Sequence, residues 1–163
     1  LPFADASLPC IYSVSAIEHI AGHGDRRAMG EIARVLAPGG LAIVTVPLVK
    51  QYAERWVESD PYGKQTRDSG GRVFFSHYYD WAALQERIAN TPRLRVVRMQ
   101  AWQEKYDGWY ARYCRATQRA ASPRSVIVKL LDPYWAANRI ETVPEGPSGV
   151  TRHGVAVIVF EKT

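Results

Sequence analysis

His19, in Ile17-Glu18-His19-Ile20, is the residue whose type best suits it to chemistry. Imidazole titrates near neutral pH, so it can take a proton from a hydroxyl as a reaction proceeds. The alternative is a histidine that packs at the start of a helix. His23 follows four residues later with Glu18 and Asp25 nearby, a spacing that suits a metal only if one helix presents both rings on one face. Gly22 and Gly24 weaken such a helix, and no metal site is expected. Ser13-Val14-Ser15-Ala16 is the second candidate. Small residues at the carboxyl end of a strand let a ligand approach the backbone, although an ordinary strand-to-helix turn reads the same way. His77-Tyr78-Tyr79 can contact a small molecule or pack in a core or interface. His153 falls in a Pro/Gly loop and carries no signal of a role.

The elements that must position these residues are legible near the start of the chain. Cys10–Val14 is an apolar strand. Asp25 to Leu36 reads as a helix, with Asp25 as N-cap and Met29, Ile32, Ala33 and Leu36 on one buried face. Pro38-Gly39-Gly40 is expected to stop that helix. Leu41–Val46 is apolar almost throughout, which predicts a strand covered on both faces. Strand, helix, strand predicts a right-handed crossover onto a parallel sheet.

Leu1-Pro2-Phe3-Ala4-Asp5-Ala6-Ser7, Ile17-Glu18-His19-Ile20 and Glu31-Ile32-Ala33-Arg34-Val35-Leu36-Ala37-Pro38-Gly39-Gly40, in that order, resemble the second half of a class I S-adenosylmethionine-dependent methyltransferase domain. The likeness is closest to the small-molecule, quinone-biosynthesis type branch. It implies an α/β, partly Rossmann-like sheet whose N-terminal strands are missing. Its strands, named by first residue, run in the order Cys10, Leu41, Val155, Leu94, with the last strand in sequence, Val155, antiparallel to the others. It implies S-adenosylmethionine as cofactor, with Leu1, Pro2 and Phe3 walling the adenine and Ser13, Val14 and Ser15 beside the methionine part. The Gly-rich turn that holds the cofactor in this family is not found upstream of Cys10. The chain is therefore expected to be a fragment with half of the cofactor site, inactive alone. His19 becomes the candidate catalytic base, and His77 and Tyr78 candidate acceptor contacts. Ser13-Val14-Ser15-Ala16 lacks the acidic or Asn residue, Pro-Pro and aromatic found in DNA and protein-glutamine methyltransferases. That departure favours an oxygen or carbon acceptor on a small molecule. A nicotinamide dehydrogenase is disfavoured because its Gly-rich fingerprint is absent.

With 163 residues and 47% hydrophobic composition, one partial domain spanning 1–163 is expected. Residues 49–80 read as a loop or lid-like insertion, and 104–140 as a helical insertion before the last strand. Asp80 is expected to cap a helix over Trp81–Ala89, Arg93–Gln103 to form a strand, Trp109–Ala121 a helix, Ser122-Pro123 to restart it through Leu131, and Asp132-Pro133 a short turn through Asn138. No run of about 18 apolar residues exists, so no membrane span is expected. Two cysteines exclude a disulfide scaffold, and Cys10 is expected to be a buried thiol in a reducing, cytoplasmic compartment. The net charge of +5 and the Arg112, Arg115, Arg119 face could serve an anionic partner. A solvated helix face is the preferred account, and no nucleic-acid motif accompanies them. The Cys10 strand lacks its family neighbour, and its unpaired edge predicts a homodimer.

Overall fold

The computed structural model describes residues 1–59, 63, 66–118 and 137–163, and of residues 115–118 only the backbone. The chain runs through β1 (Leu8–Val14), a 3-10 turn (Ile17–His19), α1 (Gly24–Val35), β2 (Leu36–Leu48), β3 (Ala53–Val57) and β4 (Val73–Tyr78). Then follow α2 (Trp81–Leu84), which widens into a π-helical turn (Gln85–Ala89), β5 (Leu94–Glu104), α3 (Trp109–Gln118), β6 (Ile140–Thr142) and β7 (Gly154–Lys162). The main sheet has the order β1-β2-β7-β5-β6. Strands β1 and β2 are parallel, β7 is antiparallel to both β2 and β5, and β6 adds a short antiparallel edge. The predicted order is therefore observed, with β6 as an addition. Residues 49–80, expected as a loop or lid-like insertion, carry the β3–β4 hairpin, a two-stranded sheet of their own.

The core lies on one face of the main sheet. Ala42, Val44, Val46 and Leu48 of β2 and Ala156, Ile158 and Phe160 of β7 are fully or almost fully buried. They pack with Met29, Ile32, Ala33 and Leu36, the predicted helix face, and with Leu84 and Ile88. Burying each of the larger of these side chains, valine to phenylalanine, contributes about 1.5–3 kcal/mol. The other face is bare along β1 and β2. Tyr12 is 79% exposed, Val14 63%, Leu41 43% and Ile43 37%. This corrects the expectation that Leu41–Val46 is covered on both faces: alternate residues of β2 point away from α1 and meet no described layer. It also corrects Cys10, which is exposed because it shares the outer face of edge strand β1.

Two local readings of α1 change as well. The helix starts one residue earlier, with His23 at the cap position and no side-chain cap. Asp25 does not cap. It is fully buried, and its carboxylate accepts from Arg87 Nε at 2.7 Å, Arg87 Nη2 at 2.9 Å and the Tyr79 hydroxyl at 2.9 Å. A carboxylate with a bidentate guanidinium partner has more to gain inward than at a solvent-facing cap. The helix ends at Val35, before the Pro-Gly-Gly run, because Leu36 already turns extended. Gly39, at φ 72°, takes the left-handed conformation within an irregular start of β2. Asp80 does cap α2, accepting from the Ala83 N–H at 2.8 Å. The Ser122–Leu131 helix, the Asp132-Pro133 turn up to residue 136 and Arg119 lie outside the described residues.

Candidate functional site

In an open α/β sheet a ligand finds strand ends and helix or loop termini at the carboxyl edge of the parallel strands. Here that edge holds a cavity of about 200 Å³. Ser15 and Pro47 enter it from the ends of β1 and β2, Trp102 and Glu104 from the end of β5, Trp109 and Tyr110 from α3, and His153 from the loop before β7. Gly154 lets β7 lie close to β5: a Cβ there would sit 2.3 Å from the Trp102 carbonyl oxygen. A second hollow of about 510 Å³ shares Glu104, Tyr110 and His153, and adds Arg55 and Tyr78 of the hairpin and Cys114 of α3. Glu104, Tyr110 and His153 are the wall that the two hollows share, and the cleft is this pair of hollows.

His153 and Tyr110 stack in that cleft with centroids 4.3 Å apart and planes 10° from parallel, and Tyr78 lies 5.6 Å from the same imidazole. Burial pushes the His153 ring below its ordinary pKa, with Arg55 acting in the same direction and Glu104 against it. The Tyr110 phenol is pushed up to about 12, chiefly by burial and then by its hydrogen bond with Cys114. Glu104 is buried, and its carboxylate accepts from the Gly108 N–H at 2.9 Å and the Tyr110 N–H at 2.7 Å. It thereby fixes the start of α3 over the cleft. No sequence pattern singles out His153. Its loop position hides that the turn into β7 brings it beside α3 and β4.

The sequence candidates separate. Ser15 reaches the cleft, at φ 47° and with its N–H donating to Thr45 Oγ1 at 3.0 Å. Ser13 and Leu1 instead line a groove of about 400 Å³ between β1 and α1, with Ile17, Ile20 and Glu31. Val14 projects from the bare sheet face, and Pro2 and Phe3 are exposed. Arg34 holds the Leu1–Phe3 segment on α1, donating to the Phe3 carbonyl at 3.0 Å and the Leu1 carbonyl at 3.2 Å. Glu31 accepts from Arg34 Nε and Nη2, both at 2.8 Å, and this pairing holds its carboxyl at about 2. Of the six candidate cofactor residues, Leu1 and Ser13 thus line one groove, and the other four lie outside it. An exposed apolar wall beside small strand-end residues fits half of a nucleoside cofactor's surroundings. Among the described residues no Gly-rich turn follows an upstream strand to complete it.

His19 lines neither the cleft nor this groove. Its Nδ1 bonds the Phe75 carbonyl at 2.6 Å, and its ring meets Phe75 edge-on at 4.9 Å, so it joins the 3-10 turn to β4. His77 is fully buried. Its Nε2 lies 3.0 Å from the Ile20 carbonyl, which can only accept, so that nitrogen carries the hydrogen. Nδ1 then accepts from the Tyr52 hydroxyl at 2.8 Å. Both nitrogens are engaged within the chain, which corrects the expectation that His77 faces an acceptor. Its neighbour Tyr78 does reach the cleft. Among the described residues no cluster of His, Cys, Asp and Glu could hold a metal ion, and no helix is long and apolar enough to cross a membrane.

Residues 1–44 match a family described as "Methyltransferase domain". "Probable tRNA methyltransferase 9B" of Mus musculus is 33% identical over 82 residues, half of this chain and 18% of that protein. Among solved structures, the MccD protein superposes at a TM-score of 0.52 with 11% identity, covering 100% of this chain and 64% of its own. An S-adenosylmethionine-dependent methyltransferase from Methanosarcina mazei superposes at 0.50 with 13% identity, covering 99% of this chain and 62% of its own. This chain thus spans under a fifth of the mouse protein and less than two thirds of each structure. The match of residues 1–44 supports S-adenosylmethionine as the cofactor. The superpositions show the fold, the α/β sheet of the class I S-adenosylmethionine-dependent methyltransferases.

Proposed function

We propose that the protein transfers a methyl group from S-adenosylmethionine to oxygen or carbon of a small molecule, and that this chain supplies the acceptor cleft and half of the cofactor site. The observation that carries this reading is the cleft at the carboxyl edge of the sheet, with Ser15 where the strand end meets it. Leu1, Pro2, Phe3, Ser13, Val14 and Ser15 would hold the cofactor, which supplies the electrophilic methyl group when bound. The Gly-rich turn would come from sequence outside this chain. Methyl transfer from a sulfonium depends largely on alignment and on exclusion of water. The aromatic walls Trp102, Trp109 and Tyr110 serve both ends. Arg55 and Tyr78 at the rim support reading 49–80 as a lid, and Tyr110 supports reading 104–140 as the insertion that walls the acceptor.

The test is transfer of isotope-labelled methyl groups by the full-length gene product to a panel of small hydroxyl compounds and active-methylene carbon acids. Label in a small molecule supports the proposal. Label in tRNA alone would instead favour the acceptor named for the mouse relative, which the net charge of +5 would accommodate. A second reading rests on the bare face and open edge of β1: without a partner for that edge, two copies of this chain pair through it.

A further inference from the structure

The cleft contains one titratable ring that hydrogen bonding leaves available. Among the described residues the His153 carbonyl accepts from the Glu104 N–H at 2.9 Å, yet its ring nitrogens meet no hydrogen-bond partner. The ring is nonetheless held, stacked on Tyr110 and flanked by Tyr78. An imidazole fixed by its faces presents its edge, and the edge carries both nitrogens. Building it into a wall shared by both hollows gives it a position suited to a ligand more than to packing.

We infer that His153 is the acceptor-binding and proton-accepting residue of this cleft, taking the hydroxyl of a neutral molecule whose flat apolar ring lies against the aromatic wall. The inference deepens the methyl-transfer reading and rests on it for the chemical step. In that step the acceptor oxygen forms the new C–O bond, the methyl–sulfur bond breaks with its electron pair left on sulfur, and His153 receives the hydroxyl proton. Positive charge therefore passes from the sulfonium to the imidazolium, and net charge is conserved. A neutral imidazole is needed at the start, and burial favours that form.

Charge on the cleft argues for a neutral acceptor. Glu104 is the acidic group buried beside His153, but both its oxygens already accept backbone N–H groups. Arg55 from β3 faces the same hollow and opposes a cationic ligand, while Asp107 on the rim opposes an anionic one. The remaining titratable groups there are Tyr78 of β4 and Tyr110 and Cys114 of α3. Tyr110 and His153 act as a pair: one offers a ring face, the other a ring edge.

The test uses 2-naphthol and its fully saturated analogue as probes, titrated into the chain by calorimetry with no cofactor present. The wild-type chain is expected to prefer 2-naphthol by roughly tenfold, the worth of one aromatic stack. Its affinity should fall as pH drops through the His153 pKa, since imidazolium cannot accept the hydroxyl hydrogen. His153→Phe keeps the stack and should bind weakly with no pH dependence in that range. Equal binding of the two probes, absence of binding at millimolar concentration, or a pH profile unchanged in His153→Phe would overturn the inference. The comparison of probes needs no variant, so it survives a folding failure of His153→Phe. A separate titration with S-adenosylhomocysteine shows whether the methyl-transfer reading fails instead.

Discussion

At the scale of single residues, three imidazoles show how position outweighs type. His19, the strongest candidate by sequence, ties a turn to β4. His77, in a run of aromatics, is sealed inside. His153, with no sequence signal at all, stands in the cleft. Periodicity can place a residue on a strand or helix, but no local pattern reports which loop a later strand will carry next to an earlier helix. The buried His77 also has a consequence for stability. Burial holds its pKa below the ordinary value, with Arg87 helping and Asp25, Glu54 and the Ile20 carbonyl opposing. The unfolded chain then binds a proton that the folded chain resists. Stability is full above about pH 6.5 and declines as pH falls below that value toward the folded pKa. Urea unfolding between pH 8 and pH 5 should show this loss, and His77→Gln should flatten it. An unchanged slope in that variant would contradict the assignment.

At the scale of elements, the readings that held depend on short-range chemistry. Met29, Ile32, Ala33 and Leu36 are three or four residues apart, and they share the buried face. Asp80 precedes Trp81-Ala82-Ala83-Leu84 and accepts from the Ala83 N–H as a cap does. Asp25 looked like a cap by the same rule, but Arg87 arrives from 62 residues away and draws the carboxylate inward. Long-range pairing overrode local propensity there. The two aspartates therefore separate in behaviour. Asp80→Ala should cost about 1 kcal/mol, the usual worth of a cap, with an added loss from the Tyr52 N–H that bonds the same carboxylate at 3.0 Å. Chemical denaturation measures it, and a wild-type midpoint would show that the cap contributes nothing. The strand order was legible because the resemblance supplied it; the β3–β4 hairpin was not, because its alternation is interrupted by polar and aromatic residues on both sides.

At the scale of the whole molecule, the described residues cover β1 and β2 on one face. Tyr12, Val14, Leu41 and Ile43 lie exposed on the other, beside the unpaired edge of β1. Read as an interface, this surface would bury its apolar side chains against a second copy. The self-association reading predicts that the chain sediments as a dimer and that Tyr12→Lys shifts it to monomer by placing charge on the edge strand. A wild-type monomer at hundred-micromolar concentration would set that reading aside. On the proposed function, methyl transfer takes place at the carboxyl edge of this sheet. The most direct test is calorimetric titration of the full-length gene product with S-adenosylhomocysteine, paired with nuclear magnetic resonance of the Ser13, Val14 and Ser15 amides. Saturable binding is expected, with those three amides among the most strongly shifted. A folded protein that takes up no S-adenosylhomocysteine at millimolar concentration, or one that binds it with these amides unmoved, would contradict the proposed function.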